Sequence, residues 1–176
     1  LVIIAAIFTY NLSEHTKGME GIKRMLTSVS NDRRVLILLI GWGFGGFMEG
    51  MAGFGTAIAI PASMLVGIGV NPLLAASVCL VANSVPTAYG SIGIPLVTLG
   101  NVTGTDATTL ATYTCLQLAP LTILCPFIMT LVAGGSLKAL NGMVATCLGA
   151  ALGFLIPELA VAVTMGPELA VVAGSI

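Results

Sequence analysis

A single acidic side chain, Glu49, stands in the middle of a long uncharged part of the sequence. No charged residue occurs in 35–48, and the next charge after Glu49 is Asp106. A carboxyl in such surroundings can take up and release a proton, bind Na⁺ together with nearby carbonyl oxygens, or accept hydrogen bonds from backbone N–H groups at a turn. Seven of the 22 glycines lie in 41–55, so the backbone around Glu49 is expected to depart from a regular helix.

The composition indicates an integral membrane protein. Hydrophobic residues make up 57% of the 176 residues and charged residues 7%, and the mean hydropathy is +1.07. A soluble domain has about a quarter of its residues charged, whereas eight of the thirteen charges here are confined to 14–34. Uncharged apolar stretches longer than about 18 residues are typical of membrane spans. We therefore predict an all-α membrane protein, a multi-span helical bundle.

Other function classes are disfavoured by the residue types. The net charge of −1 does not suggest a nucleic-acid partner. His15 is the only histidine and lies in a polar stretch, so we predict no metal site. The four cysteines are far apart in apolar segments without CxxC spacing, which favours small buried side chains over disulfides. The sequence has no HExxH and no GxGD motif, so we expect neither an enzyme nor a bound cofactor.

The N-terminal part of the sequence sets the orientation. Residues 1–10 are predicted to be the end of a span, and 11–34 a polar connection that holds a short amphipathic helix at the membrane surface. Five of the six Lys and Arg residues lie in 11–34, which places this connection on the cytoplasmic side. Because the sequence begins inside an apolar run without a Met and ends in another apolar run, we expect a fragment of a longer chain.

Residues 35–70, which hold Glu49, are predicted to form a re-entrant helical hairpin. About 20 residues cross a bilayer, so these 36 residues are too many for one span and too few for two spans with a loop. The glycines fall in the middle, which predicts arms near 35–48 and 57–70 and a tip near 49–56. Irregular backbone at membrane depth is tolerated only where it is buried in protein or lines a wet cavity, which suggests a transport site.

Residues 71–100 are predicted to form a discontinuous helix with halves at 72–84 and 91–100. Pro86 and Pro95 stand nine residues apart among Gly, Asn, Ser and Thr, and each proline removes a backbone donor and disfavours helical geometry in the residue before it. Paired interrupted segments indicate the binding site of a secondary transporter. The remaining elements are predicted as an outer loop at 101–111, a span at 112–133, an inner loop at 134–142, a span at 143–160 and the start of another span at 167–176. The Pro-Glu pairs at 157–158 and 167–168 are predicted to be helix starts at the outer surface.

Four segments of the sequence resemble, in order, the lactate permease family. They are GGFMEGMAGFGTAIAI (45–60), GIGVNPLLAASVCLVANSVPTAYGSIGIP (67–95), LQLAPL (116–121) and GPEL (166–169). This family consists of bacterial and archaeal carriers that take up lactate and related 2-hydroxy monocarboxylates such as glycolate, usually with a proton. The resemblance implies a multi-pass plasma-membrane symporter of the inverted-repeat type, whose second half is absent from this sequence. One departure is Ala57 and Ile58, where the family has a proline soon after the tip.

Within this resemblance, Glu49 is the predicted proton-coupling residue. It lies near the C-terminal end of the first arm, where the helix dipole is negative. Burial and this dipole both disfavour the ionised carboxylate, and proton symport requires a carboxyl that ionises and neutralises during the cycle. Two alternatives are that Glu49 caps backbone N–H groups at the tip, and that it binds Na⁺ as the coupling ion.

The substrate carboxylate must be bound without cations, because no Lys or Arg lies in a predicted core span. Two half-helix N-termini, near Gly55 and Thr56 and near Gly90 and Ser91, offer free N–H groups and the positive end of a dipole. Hydroxyl and amide side chains could hold the carboxylate and the 2-hydroxyl, and glycines let the backbone approach the ligand. The predicted substrate-binding residues are Gly53, Gly55, Thr56, Asn83, Ser84, Thr87, Gly90 and Ser91. The alternative for each hydroxyl is a bond to its own helix carbonyl, and the alternative function is a dicarboxylate or citrate symporter of similar architecture, with sodium as a second candidate for its coupling ion.

Overall fold

The computed structural model describes residues 32–53 and 55–176, together with residues 15, 21, 24, 25 and 28–30. The predicted span end at 1–10 and most of the predicted connection at 11–34 lie outside the described residues. In 32–53 and 55–176 every regular element is helical. The fold is therefore a helical bundle of the membrane type, as the composition predicts.

The helices differ in length. Three of them, Arg33–Met51, Ala107–Gly134 and Val144–Thr164, are long and apolar enough to cross a membrane, and Pro72–Asn83 with Pro86–Thr103, bent by 59°, would make a fourth span. Two 3₁₀ helices occupy Pro86–Tyr89 and Leu137–Leu140. In chain order, the described helices of the bundle are α1 (Arg33–Met51), α2 (Thr56–Gly67), α3 (Pro72–Asn83), α4 (Gly90–Thr103), α5 (Ala107–Gly134), α6 (Val144–Thr164) and α7 (Ala170–Ser175).

Helix α1 is capped at its start and irregular in its middle. The Asp32 carboxylate accepts a hydrogen bond from the Arg34 backbone N–H at 2.9 Å. The Arg34 guanidinium, 2.7 Å from Asp32, holds the pKa of that carboxyl below its usual range. Beyond this start, Leu38–Phe44 is a π-helix, a form that recurs next to functional sites. This π-helix leads directly into the helical turns that carry Glu49.

The π-helix is also the attachment point of α1 to α6. The Trp42 indole N–H donates to the Ala150 carbonyl oxygen at 3.2 Å. The centroids of the Trp42 and Phe154 rings lie 4.8 Å apart. A hydrogen bond between helices is worth about 0.6 kcal/mol on average inside membrane proteins. The bond and the ring contact together fix the side of α1 that faces α6.

Helices α1 and α2 form the predicted hairpin. The Arg33 guanidinium donates to the Gly69 carbonyl oxygen, so the two ends of the hairpin meet. The tip comprises 52–55, which is shorter than the predicted 49–56, so that Glu49 belongs to the last turns of α1. The placement of this tip inside a bilayer stays a prediction.

The two ends of the bundle can be told apart by their contacts. At one end the Arg34 guanidinium donates to the carbonyl oxygens of Ala139 and Asn141 at 2.8 and 3.2 Å, which joins the 134–142 connection to the start of α1. At the other end, a Cβ added at Gly166 would lie 3.4 Å from the Thr108 hydroxyl. The hairpin ends and the inner connection thus share one face of the bundle.

The connection between α4 and α5 is shorter than the predicted loop at 101–111. Helix α4 continues to Thr103, and α5 begins at Ala107 with Asp106 as its N-cap, whose carboxylate accepts from the Thr109 N–H at 2.8 Å. The polar residues that suggest a loop here are helix caps and helix ends, a use to which Asp and Thr are suited.

The prediction of a helix start at Pro157 and Glu158 is wrong. Helix α6 continues through both residues to Thr164, and Glu158 is only 2% exposed. Proline is tolerated inside membrane helices because neighbouring groups satisfy the freed carbonyl. The second pair, Pro167 and Glu168, lies in the turn before α7.

Candidate functional site

The hairpin tip and the break in the discontinuous helix lie against each other. The tip is 52–55 and the break is 84–93, and we call their contact region the junction. The Ser91 hydroxyl in the break donates to the Ala52 carbonyl oxygen in the tip at 2.9 Å. Gly53 has φ of 54°, and a Cβ there would lie only 2.3 Å from Ser91 Oγ. Two segments predicted separately from the sequence are therefore in direct contact.

The backbone of the break is in an unusual conformation. Ser91, Ile92 and Gly93 have left-handed φ angles of 50°, 60° and 72°, which cost about 1–2 kcal/mol for each residue that carries a Cβ. The regular part of α4 therefore begins at residue 94 and not at Gly90 or Ser91 as predicted. Strain of this kind persists where surrounding contacts hold it, and it is concentrated at ligand sites.

The Glu49 carboxyl is buried in the junction. Glu49 is 3% exposed, and a Cβ at Gly90 would lie 2.3 Å from Glu49 Oε1. Gly90 itself has φ of −56° and ψ of 153°, a conformation that any residue adopts. A glycine is therefore needed at this position for space, and the space is filled by the carboxyl of Glu49.

Two buried oxygens beside the junction lack hydrogen-bond partners. They are Glu49 Oε2 and Asn83 Oδ1, and the Asn83 amide approaches the Glu49 carboxyl closely enough to interact with it. The Asn83 NH₂ group donates to the Thr87 hydroxyl at 3.0 Å. An unpaired buried acceptor costs about 1–3 kcal/mol. A proton on Glu49 would turn one acceptor into a donor, and a monovalent cation could bind to both oxygens.

No basic side chain is placed to neutralise Glu49 in the part of the chain that the structure describes from residue 32 onward. The basic residues there are Arg33, Arg34 and Lys138, all at the end of the bundle where Arg34 binds the 134–142 connection. The salt bridge in this part joins Arg34 to Asp32. An isolated carboxylate is strongly disfavoured in such surroundings, so the geometry favours the neutral acid or a bound cation.

The described N–H groups of the tip do not use Glu49 as a cap. The N–H groups of Ala52 and Gly53 both donate to the Met48 carbonyl oxygen, at 2.8 and 3.2 Å, and the Thr56 N–H donates to the Gly53 carbonyl oxygen at 3.1 Å. These donors are satisfied by the backbone. The capping alternative for Glu49 finds no support among them.

The remaining predicted substrate residues differ in how their polar groups are engaged. The hydroxyls of Thr56, Ser84 and Thr87 donate to nearby carbonyl oxygens of Gly53, Val81 and Asn83, which is the alternative that the sequence left open. Ser91 instead bridges two elements. Gly55, with φ of 88°, is exposed at the N-cap of α2, where the predicted half-helix N-terminus does occur.

The structure thus sorts the predicted site residues into three groups. The residues brought into mutual contact at the junction are Glu49, Gly53, Asn83, Thr87, Gly90 and Ser91. Gly55 and Thr56 border them at the start of α2, and the exposed Ser84 bonds only to its own helix.

Three features next to the junction were missed by the sequence reasoning. Tyr89 is 1% exposed, and its hydroxyl donates to the Ala111 carbonyl oxygen at 2.6 Å. A Cβ at Gly93 would lie within 2.9 Å of Pro167, so the GPEL turn packs on the break. Glu158 is a second buried acid, within electrostatic range of Tyr89. Its signal was present in the sequence, since 139–157 is uncharged just as 35–48 is.

Comparison with known proteins gives a consistent result over the whole chain. The L-lactate permease family matches residues 1–176. The L-lactate permease of Streptococcus iniae is 45% identical over 175 residues, which cover 99% of this chain and 37% of that protein. The L-lactate permease of Bacillus subtilis (strain 168) is 37% identical, and the glycolate permease GlcA of Escherichia coli (strain K12) is 36% identical, each over 96% of this chain and 30% of the relative. The chain therefore spans about a third of the length of these relatives. No solved structure matches the chain.

Proposed function

Because the chain belongs to the L-lactate permease family, we propose that it forms part of a carrier that takes up L-lactate and related 2-hydroxy monocarboxylates by proton symport. The relatives are named as permeases for L-lactate or glycolate, which supports transport over catalysis. The carrier would cross the plasma membrane of a bacterium or archaeon several times. The remaining length of the relatives would supply the second half of the transporter.

The observation that carries the proposal is the burial of the Glu49 carboxyl against Gly90, at the junction of tip and break. Regular helix stops on both sides of this contact, at Met51 in α1 and at the left-handed residues 91–93 of the break. Glu49 Oε2 lacks a partner, and protonation would allow it to donate a hydrogen bond. Glu49 is therefore the group that carries the coupled proton in this proposal.

Charge repulsion explains why substrate and proton would travel together. Two unit negative charges about 4 Å apart repel by about 4 kcal/mol at an effective dielectric constant near 20. That repulsion weakens binding of a carboxylate by roughly 1,000-fold, at about 1.4 kcal/mol for each factor of ten. A monocarboxylate would therefore bind beside Glu49 mainly when Glu49 is protonated, and the two would be carried as a neutral pair.

The groups proposed to bind the substrate lie around the junction. The N-terminus of α2 at Gly55 and Thr56 offers the positive end of a helix dipole to the carboxylate. The Asn83 amide, in contact with the Thr87 hydroxyl, and the Ser91 hydroxyl could hold the 2-hydroxyl group. This set of neutral donors suits one carboxylate, which favours a monocarboxylate over a dicarboxylate.

The test uses Glu49→Gln in the full-length carrier, reconstituted in vesicles. Glutamine keeps the shape of the neutral acid but cannot release a proton. We expect loss of lactate accumulation driven by a pH gradient, while exchange of labelled for unlabelled lactate, which needs no net proton movement, persists. Glu168→Gln is the matched control, because Glu168 is exposed in the turn before α7, and it should accumulate lactate normally.

Three results would contradict the proposal in distinct ways. Undiminished pH-driven accumulation by Glu49→Gln would remove Glu49 from coupling. Accumulation driven by a sodium gradient, and lost in Glu49→Gln, would make the site a sodium site. Preference for succinate or citrate over lactate and glycolate would support a carrier of larger organic acids.

A further inference from the structure

Glu158 is a second carboxylic acid inside the bundle. It lies 14 residues after Val144, the first residue of α6, and is 2% exposed. At 1.5 Å per residue, it is roughly 20 Å from the end of α6 at which Arg34 contacts Ala139 and Asn141. A charge at such a depth is costly unless it is paired.

The groups that face Glu158 come from each element packed around it. The break contributes the Tyr89 hydroxyl and α5 contributes the Cys115 thiol, both of them buried and within electrostatic range of Glu158. Helix α7 (Ala170–Ser175) has no titratable side chain, and a Cβ at Gly174 would lie 3.2 Å from Glu158 Cβ. The π-helix of α1, Leu38–Phe44, which also contacts α6, has none either.

None of these neighbours can neutralise a carboxylate. A tyrosine hydroxyl and a thiol are neutral near pH 7, and the other buried acid among the described residues is Glu49. Within 32–53 and 55–176 the salt bridge is between Arg34 and Asp32, which leaves Glu158 without a cation. The neutral, protonated acid is therefore the form that fits this position.

Helix α7 connects Glu158 to the surroundings of Glu49. A Cβ at Gly174 would lie 3.2 Å from Glu158 Cβ, and a Cβ at Gly50, the residue after Glu49, would lie 2.8 Å from the Val172 side chain. Helix α7 therefore packs against both helices that carry the buried acids, and a shift of α7 on protonation of one acid would reach the other.

We propose that Glu158 is a second proton-binding carboxyl of the carrier, linked to Glu49 through helix α7. Substrate binds most tightly when both acids are neutral, because each ionised acid adds a negative charge to the bundle that holds the substrate's own carboxylate. Release of a proton from Glu158 then favours release of the substrate. This inference rests on the proposed transport function, but its first test requires no transport.

The first test is chemical labelling of the wild-type, full-length carrier with dicyclohexylcarbodiimide. This apolar reagent adds a protonated buried carboxyl across its C=N bond, and the O-acyl product rearranges to a stable N-acylurea without loss of atoms. Peptide mass spectrometry should find the adduct on Glu158 in acidic buffer and lose it as the buffer is made alkaline. Glu168 has the same Pro-Glu-Leu-Ala-Val context at 167–171 but is exposed, so it should stay unmodified.

The second test measures lactate exchange against pH in Glu158→Gln, Glu158→Asp and Glu168→Gln. We expect Glu158→Gln to lose one titration step of the wild-type profile, Glu158→Asp to keep it at a shifted pH, and Glu168→Gln to match the wild type. A merely structural Glu158 would leave the profile of the glutamine variant unchanged.

The results separate this inference from the proposed function. Absence of the adduct on Glu158 at every pH, in a sample in which Glu49 is labelled, would overturn the inference, as would a wild-type pH profile in Glu158→Gln. A pH-dependent adduct on Glu158 in a carrier that shows no pH-driven accumulation would support the second proton site and contradict proton symport.

Discussion

Replacement of Gly90 by alanine should slow pH-driven uptake by the carrier without disturbing its fold. The backbone angles of Gly90, φ −56° and ψ 153°, are allowed for alanine, so the substitution adds no backbone strain. The new Cβ would lie 2.3 Å from Glu49 Oε1, and ordinary contact begins at 3.4 Å. The Glu49 carboxyl must therefore move by roughly 1.1 Å, the difference between these two distances.

The expected size of the effect follows from that displacement. Misplacing a reacting group by about 1 Å can cost roughly 100-fold in rate, which corresponds to about 2.7 kcal/mol at 1.36 kcal/mol for each factor of ten. We expect pH-driven lactate uptake by Gly90→Ala to fall by about this factor. The amount of folded carrier in the membrane should stay close to that of the wild type.

The assay is the initial rate of lactate uptake into vesicles under an imposed pH gradient. Gly149→Ala serves as the matched glycine control, since nothing lies within 4 Å of its Cβ position, and its uptake should be unchanged. Glu49→Asp combined with Gly90→Ala should recover part of the activity, because aspartate is shorter by one methylene. Wild-type uptake by Gly90→Ala would refute the idea that close contact between residue 90 and the Glu49 carboxyl limits uptake. A loss of uptake that the double variant does not recover would also show that this contact is not the cause.

Two further predictions concern the junction and the membrane placement of the hairpin. Ser91→Ala removes the bond to the Ala52 carbonyl and should weaken lactate binding in exchange assays by roughly fivefold, for about 1 kcal/mol per hydrogen bond. Ser84→Ala loses only a bond within its own helix and should bind lactate normally. Equal lactate affinities in the two variants would exclude Ser91 from the binding site. In a carrier without its native cysteines, Ser28→Cys and Asn71→Cys should react with an impermeant thiol reagent from the same side of the membrane. Thr105→Cys should react from the opposite side. Reaction of Ser28→Cys and Asn71→Cys from opposite sides would contradict a re-entrant hairpin.

The hairpin and the broken helix could be predicted from the sequence because their signals are local. Glycines in 41–55 and prolines at 86 and 95 weaken a helix wherever the chain is folded. The boundaries of the break could not be predicted. Ser91 and Ile92 adopt left-handed angles that their residue types disfavour, and the tertiary bond from Ser91 to Ala52 helps to hold them.

Glu158 was missed because one local pattern serves two purposes in this chain. Pro-Glu followed by Leu-Ala-Val occurs at 157–161 and again at 167–171. The second copy lies at the turn before α7, while the first lies inside α6. A Pro-Glu pair is typical of a helix start, but α6 begins only at Val144, too few residues before Pro157 for a crossing. The length needed to cross the membrane therefore shows that Pro157 and Glu158 lie inside a helix, which the local Pro-Glu pattern alone does not show.

In the proposed mechanism, the coupling between proton and substrate acts over a short range. Glu49 contacts Gly90, and Ser91, the next residue, holds the tip through Ala52. A change in the charge or position of the Glu49 carboxyl therefore acts directly on the backbone that would bind the substrate, with no chain of intermediate residues of the kind that long-range coupling requires. The left-handed residues 91–93 are held by these same contacts, so protonation of Glu49 and rearrangement of the break are expected to occur as one event.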